Sequence, residues 1–322
     1  GTIHMVIGTH ALIQDTVNYN KLALVITDEQ HRFGVEQRQK LVLKSPSGLA
    51  PHLLTMTATP IPRSLQLTVF GDLDVSILNE MPKGRQPIVT KVLTEVETRE
   101  LLYPKIRETL NDKNQIYWIC KAIDDDPRTE TTSVKLRYAK LQRDFPGVKI
   151  EFLHGRMKPA ENDAVMERFS RGEIQILVST TVVEVGVDVP NSTLMVIENA
   201  ESYGLAQLHQ LRGRVGRGSK ASFCYLLTSG DTRPSQRLRE LEKSTDGFHL
   251  AEVDLKLRGP GEIYGALQHG ALDLRIATLS DTKLIHRAQE DVAKFLQNPE
   301  NMVKYRELMS GITKYQQITT LN

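Results

Sequence analysis

The sequence predicts an α/β protein with two parallel-sheet units in tandem, followed by a helical segment. Apolar runs such as L-A-L-V-I-T at 22–27 and I-Q-I-L-V-S at 174–179 alternate with amphipathic stretches, a pattern typical of doubly wound parallel sheets. The stretch K-G-R-Q-P at 83–87 combines charge, glycine and proline and is typical of a linker. We therefore predict domains at 1–85, 86–230 and 231–322.

Composition limits the classes of function. The 322 residues contain 41 Lys+Arg against 39 Asp+Glu, a net charge of only +2, so any polyanion must be bound by local patches. Cys120 and Cys224 lie in apolar strand-like runs and are expected to be buried free thiols. No apolar run approaches a membrane span of about 18–20 residues, and no signal-peptide pattern opens the sequence. We expect a soluble, cytoplasmic protein without a membrane partner.

The strand predicted at 22–27 runs directly into Asp28 and Glu29. Carboxylates at the end of a buried parallel strand lie where α/β sheets place their ligand crevice. Asp28 can there hold Mg²⁺, and Glu29 can orient or deprotonate an attacking water. A solvated acidic turn is the alternative, and the preceding buried strand disfavours it.

A second strand, predicted at 53–56, ends in Thr57, Ala58 and Thr59, followed by two prolines. Small hydroxyl residues before prolines form a stiff turn, suited to a switch loop between two sites.

The second unit is predicted from alternating strands and helices. We expect strands at 115–119, 149–153, 174–179, 194–197 and 223–228, and helices at 95–110, 133–145 and 159–171. Further helices are expected at 235–245, 248–256 and 281–296, separated by the glycine-rich stretch R-G-P-G-E at 258–262.

The stretch 207–218 contains the pattern Q-x-x-G-R-x-G-R, formed by Gln210, Gly213, Arg214, Gly216 and Arg217. If the stretch is helical, the spacing puts both arginines on one face. Guanidinium groups donate paired hydrogen bonds to phosphate and can stabilise the charge of a transferring γ-phosphoryl group. A solvated basic helix is the alternative for a lone R-x-x-R, but it leaves the rest of the pattern unexplained.

These motifs together resemble those of the superfamily 2 helicases and translocases. D-E-Q-H at 28–31 is similar to their Walker B motif, T-A-T at 57–59 to their coupling motif, 177–188 to motif V and 210–217 to motif VI. The resemblance implies RecA-like sheets, ATP and Mg²⁺ as cofactors, and a nucleotide cleft that closes on binding and reopens after hydrolysis. It implies catalytic roles for Asp28, Glu29, His31, Gln210, Arg214 and Arg217, with Mg²⁺ held by Asp28, and coupling roles for Thr57, Ala58, Thr59, Gly186 and Asp188.

A finer resemblance is to the RecG family of bacterial DNA translocases, from residue 1 to about 275. It rests on D-E-Q-H-R-F-G-V at 28–35, T-A-T-P-I-P-R at 57–63, G-D-L-D-V-S at 71–76, F-L-H-G-R-M at 152–157 and L-R-G-P-G-E at 257–262. It implies a monomeric motor that remodels branched DNA in recombination and repair. The implied DNA-binding residues are Thr9, His10, His154, Gly155, Arg156, Thr180 and Thr181. The implied translocation residues are Arg237, Arg239, Arg258, Glu262 and Gln268.

One family element is missing, because no G-x-x-x-x-G-K-[ST] phosphate loop occurs in the sequence. We interpret the chain as the C-terminal portion of a larger translocase, which implies that the first sheet is incomplete and the second complete. We expect the chain to hydrolyse ATP negligibly by itself. Two alternatives stay open: a motor of the transcription-repair coupling kind, which G-D-L-D-V-S and His31 disfavour, and an ATPase-dead nucleic-acid-binding or regulatory module.

Overall fold

The computed structural model describes residues 2–29, 44, 51–58, 74–78, 80–82, 84–94, 97–120, 127–180, 188–229, 234–258, 282–298 and 300–312. The chain divides into two compact units, residues 1–60 and 61–322. The predicted boundary between residues 85 and 86 falls within the second of them.

The first unit contains a short parallel sheet. Strand β1 (Leu24–Thr27) pairs in parallel with β2 (His52–Thr55), so both strands end at the same edge. The amide of Met56 donates to the carbonyl oxygen of Thr27 at 2.8 Å, which continues the pairing past the strand ends. A 3₁₀ turn (His10–Ile13) precedes β1.

The prediction that the run at 22–27 is buried on both faces is wrong for the described residues. Val25 and Thr27 are buried, whereas Leu24 and Ile26 are 53% and 56% exposed. The reason is that the small core of this unit, built on Ile13 and Val25, covers one face of the strand.

The second unit is organised around a six-stranded parallel sheet. Its strands are β3 (Ile88–Leu93), β4 (Gln115–Ile119), β5 (Ile150–Leu153), β6 (Ile176–Ser179), β7 (Ser192–Ile197) and β8 (Ser222–Leu227), in the order β3-β8-β7-β4-β6-β5. Every pair of neighbours is parallel. The predicted complete parallel sheet is therefore confirmed.

The central strands are buried on both faces, which explains their continuous apolar runs. Successive residues of β4 contact opposite sides: Tyr117 and Ile119 belong to one core cluster, Ile116 and Trp118 to the other. All residues of β4, β6 and β7 are buried. The sheet thus separates two apolar cores, each covered by helices.

Among the described residues, the second unit contains the helices α1 (Tyr103–Asn111), α2 (Pro127–Asp144), α3 (Pro159–Ser170), α4 (Leu205–Arg212), α5 (Gln236–Lys243), α6 (Gly247–Arg258), α7 (Thr282–Leu296) and α8 (Glu300–Lys304). A π-helical turn (Thr98–Leu102) leads into α1, and a 3₁₀ turn (Ala200–Ser202) follows β7. Pro159 occupies the first turn of α3, where its missing amide hydrogen costs nothing.

Helices α5 and α6 pack into the core of the second unit. Leu238, Leu241 and Leu250 are fully or almost fully buried in the same cluster as Tyr117. The carboxylate of Glu242 also accepts a hydrogen bond of 3.1 Å from the amide of Val92 on β3. These two helices therefore continue the sheet domain, although the sequence predicts them as part of a separate third domain.

The prediction for the two cysteines is confirmed. Cys120 and Cys224 are buried free thiols, and burial raises the pKa of Cys224 to about 12. Within the described ranges, no helix combines the length and apolarity that a bilayer span requires.

Candidate nucleotide and DNA sites

The acidic motif lies at the carboxyl end of β1 in the first unit. Asp28 is exposed, and its Oδ1 accepts a hydrogen bond of 2.8 Å from the amide of Glu29. Glu29 has a φ of 51°, in the left-handed region that side-chain-bearing residues adopt rarely. The backbone turns sharply here and leaves the Asp28 carboxylate at the surface. That position suits a carboxylate that holds a metal together with a ligand's phosphates.

Thr57 and Ala58 follow β2 at this same edge, because β1 and β2 are parallel. Thr9 caps the turn His10–Ile13, and its hydroxyl lies 3.5 Å from the amide nitrogen of Ala11. Thr9 and His10 are exposed, as contact with a strand of DNA requires. The roles of all four residues remain predictions.

In the second unit, helix α4 leads into a tight turn at 213–217, the arginine turn. The prediction that Arg214 and Arg217 lie on one helix face is wrong, because α4 ends at Arg212. The amide of Arg214 donates to Leu211 and that of Val215 to Arg212, which closes the helix with 3₁₀-type bonds. Val215 is completely buried and anchors the turn in the core.

Gly216 shows why this turn needs glycine. Its φ of 71° lies in the left-handed region. A Cβ built on it would lie 2.9 Å from Cγ1 of Ile88 at the start of β3. The turn is thus closely packed against β3, and a side chain at this position meets both backbone strain and a steric clash.

Arg217 is held by one carboxylate and one carbonyl. Its Nη1 lies 3.5 Å from Oδ1 of Asp188, and its Nε donates to the carbonyl oxygen of Gly213 at 3.2 Å. The charges of Arg214 and Arg217 also reach the buried Tyr117, where they oppose the burial that raises its pKa to about 12. The structure therefore brings Asp188, Arg214 and Arg217 into one region of the second unit. Gln210 lies in the last turn of α4 and is half-buried.

Sequence reasoning missed two arginines of this region. Arg212 is buried, and its guanidinium donates to the carbonyl oxygens of Leu241 at 2.8 Å and Ser244 at 2.9 Å. It also contacts Nδ1 of His209 at 2.8 Å; since a guanidinium can only donate, the imidazole accepts at Nδ1. Burial and the Arg212 charge lower the pKa of His209 to about 4. Arg85, which the sequence suggests is a linker residue, donates to the carbonyl oxygens of Gly213 and Gly216.

The predicted DNA-binding residues His154 and Thr180 lie at the carboxyl ends of the neighbouring strands β5 and β6. The ring of His154 stacks on Phe152 with centroids 5.9 Å apart, and its Nδ1 accepts from the amide of Arg156 at 3.3 Å. Gly155 and Arg156 are exposed beside it. Among the described residues, the buried Oγ1 of Thr180 has no hydrogen-bond partner. An unsatisfied buried hydroxyl at a sheet edge is suited to accept a ligand contact.

Two of the predicted translocation residues are placed on α5. Arg237 donates to the carbonyl oxygens of Glu201 and Tyr203, both at 2.7 Å, so it fastens α5 to the segment after β7. Arg239 is exposed. Arg258 ends α6. The remaining predicted site residues, His31, Thr59, Thr181, Gly186, Glu262 and Gln268, lie outside the described residues.

The residues present fit a nucleotide and its metal ion. Within the described ranges no cluster of three or more His, Cys, Asp or Glu forms a self-sufficient metal site. Asp28 alone instead matches Mg²⁺ as it is bound with a nucleotide, through one or two carboxylates plus phosphate oxygens. The arginine turn supplies guanidinium groups of the kind that bind phosphate.

Three family models match the chain. "DEAD/DEAH box helicase" matches residues 1–68, "Helicase conserved C-terminal domain" residues 98–219, and "ATP-dependent DNA helicase RecG, domain 3, C-terminal" residues 244–317. The matches lie in both compact units, and β3, β8 and α5 fall outside them.

Curated relatives and a solved structure agree with these models. The chain is 49% identical over 311 residues to the ATP-dependent DNA helicase RecG of Synechocystis sp. and 48% identical over 312 residues to that of Haemophilus influenzae. These alignments cover 96% and 94% of the chain but only 37% and 45% of the relatives, so the chain spans less than half of their length. The structure of RecG bound to a three-way DNA junction matches 87% of the chain and 35% of its own, with 43% identity and a TM-score of 0.66. By its RecA-like sheets, its arginine turn and these similarities, the chain belongs to the RecG family of ATP-dependent DNA helicases.

Proposed function

We propose that this chain is the motor portion of an ATP-dependent DNA translocase that remodels branched DNA in recombination and repair. The arginine turn carries the proposal, because it presents Arg214 and Arg217 from a rigid, fully packed sheet domain. The relatives named ATP-dependent DNA helicase RecG, one of them solved on a three-way junction, support DNA branches as the substrate.

The first unit binds the metal and the attacking water. Asp28 would hold Mg²⁺ together with the nucleotide phosphates, and Glu29 would orient or deprotonate the water. The family resemblance adds a catalytic role for His31. Bound Mg²⁺ supplies neutralisation of the phosphate charge.

The second unit stabilises the charge that develops on the transferred phosphoryl group. Arg217 is oriented by Asp188 and by the carbonyl of Gly213, and Arg214 lies in the same turn. The ion pair with Asp188 is largely exposed, so it orients the guanidinium more than it stabilises the fold. Preorganised charges of this kind act because they need no rearrangement during the reaction.

DNA contacts come from the 3₁₀ turn of the first unit and from the segments that follow β5 and β6 in the second. Thr9, His10, His154, Gly155, Arg156, Thr180 and Thr181 offer hydroxyls, amides and a guanidinium, which suit phosphates and read no sequence. Arg239 adds an exposed charge on α5, and Arg237 contributes by fixing α5 to the sheet domain. Nucleotide binding is coupled to DNA binding by Thr57, Ala58, Thr59 and Gly186. The closure of the nucleotide cleft is converted into DNA translocation by Arg258, Glu262 and Gln268.

We further propose that the protein is a monomer in the cytoplasm. The 322-residue chain alone should hydrolyse ATP negligibly. The reason is that its sequence contains no G-x-x-x-x-G-K-[ST] loop with a lysine for the β- and γ-phosphates.

ATP hydrolysis with and without forked DNA tests the proposal on this chain and on a version of the protein that carries such a loop. We expect DNA-stimulated turnover only with the loop, and its loss in Arg217→Ala and Glu29→Gln. Sustained turnover by the short chain contradicts the inactivity. DNA binding by the short chain, together with an inactive loop-bearing version, favours the regulatory-module alternative.

A further inference from the structure

The segment that enters β3 lies directly against the arginine turn. Arg85 Nε donates to the carbonyl oxygen of Gly216 at 3.1 Å, and its Nη2 donates to that of Gly213 at 3.2 Å. Both bonds come from one half-buried guanidinium and reach 131 and 128 residues along the chain. One side chain thus holds both glycine carbonyls of the turn.

We infer that Arg85 is a positioning residue that sets the conformation of the arginine turn and, through it, the place of the Arg217 guanidinium. The inference rests on the proposed function, in which Arg217 contacts the nucleotide phosphate. Arg85 acts through the backbone of the turn and touches no reacting atom.

The carbonyl of Gly213 links the two guanidinium groups. It accepts from Nη2 of Arg85 and also from Nε of Arg217, each at 3.2 Å. If Arg85 is removed, this carbonyl loses one of its two donors and the carbonyl of Gly216 loses the Arg85 bond. Ile88 then remains as the described contact of β3 against Gly216.

The charges around Arg85 indicate that its contact with the arginine turn does more than stabilise the fold. Burial and the like charge of Arg217 both lower the pKa of Arg85, whereas the carboxylate of Asp188 raises it. Two guanidinium groups held near one exposed carboxylate leave a net positive charge, which an anionic ligand neutralises.

The geometry also distinguishes arginine from lysine. Arg85 reaches its two acceptors through two different nitrogens of one planar group, whereas a lysine ammonium is a single point charge on a flexible stem. Arg85→Lys therefore keeps the positive charge but loses the paired hydrogen bonds to the carbonyl oxygens of Gly213 and Gly216, while Arg85→Ala loses both the charge and the bonds. Arg107→Ala, an exposed arginine on α1, is the matched control.

Hydrogen–deuterium exchange on the 322-residue chain measures the turn directly. We expect amides at 213–217 to exchange about tenfold faster in Arg85→Ala, with a smaller increase in Arg85→Lys and none in Arg107→Ala. Fluorescence of Trp118, the sole tryptophan, confirms that each variant retains its folded core. Unchanged exchange at 213–217 in folded Arg85→Ala overturns the inference.

Steady-state ATP hydrolysis in the loop-bearing version separates positioning from a structural role. We expect kcat to fall about 100-fold in Arg85→Ala with little change in KM, because small misplacements of a charge-stabilising group are costly. Arg85→Lys restores part of the rate. A loosened turn with an unchanged kcat overturns the inference. If the loop-bearing protein without substitutions does not hydrolyse ATP, the proposed function is refuted instead. This control therefore distinguishes a failure of the proposed function from a failure of the inference about Arg85.

Discussion

Gly216→Ala tests whether the arginine turn is fixed by close packing against β3. Two costs add at this position. A residue with a side chain at a φ of 71° costs about 1–2 kcal/mol relative to glycine. The added Cβ would lie 2.9 Å from Cγ1 of Ile88, and forcing an extra group into a packed site costs about 1–3 kcal/mol. The expected total loss of unfolding free energy is about 2–5 kcal/mol.

Gly147→Ala is the matched control, because Gly147 has a φ of 85° and open space where its Cβ would lie. It carries the backbone cost alone, about 1–2 kcal/mol. Urea unfolding followed by the fluorescence of Trp118 reports on the second unit, since Trp118 is buried in its core. The difference between the two variants isolates the contact with Ile88.

A double-mutant cycle with Ile88→Ala completes this test. Removing Cγ1 and Cδ1 of Ile88 removes the clashing atoms, so the added cost of Gly216→Ala should shrink to that of Gly147→Ala. Equal losses for Gly216→Ala and Gly147→Ala in the unsubstituted background refute the reasoning.

Three further predictions concern the buried polar groups of the second unit. Arg212→Met should lower the unfolding free energy by about 3 kcal/mol in urea titrations, because two carbonyls lose charged donors; Arg107→Met should change it by less than about 0.5 kcal/mol, and an equal effect contradicts the role of Arg212. The folded-state pKa of His209, about 4, lies below its ordinary value of 6.5, so the unfolded chain takes up the proton first as pH falls. Stability should therefore decrease by about 2–3 kcal/mol between about pH 6.5 and pH 4, and His209→Gln should flatten that slope; a slope that persists excludes His209 as its source. Cys120 and Cys224, both buried with raised pKa values, should resist thiol reagents until urea unfolds the chain, when both react; labelling of the native protein argues against their burial.

The sequence predicts the central part of the fold well, for a physical reason. Strands β4, β6 and β7 are buried on both faces and therefore form nearly continuous apolar runs, which can be recognised in the sequence. Strand β3 escaped prediction because it lies at the sheet edge, where its burial alternates and Lys91 faces solvent. The burial of β1 was overestimated from the sequence, because Leu24 and Ile26 are apolar but exposed.

The candidate site was predictable only in part. The pattern G-R-x-G-R identifies Arg214 and Arg217, but helical spacing misplaces them, since the glycines end the helix. Arg85 and Arg212 went unnoticed because the carbonyl oxygens that accept their hydrogen bonds lie 29 to 131 residues away along the chain. The one local signal at Arg85, its glycine and proline neighbours, indicates a linker and hides its contact with the turn.

The buried guanidinium of Arg212 has a consequence for protein engineering. It joins the helix before the arginine turn to the carboxyl end of α5, while Leu238 and Leu241 fill the same core. A fragment that stops at residue 230, where the sheet ends, would therefore carry an orphaned cation and a hole in its interior. Moving this sheet domain into another scaffold therefore requires that α5 and α6 be included with it.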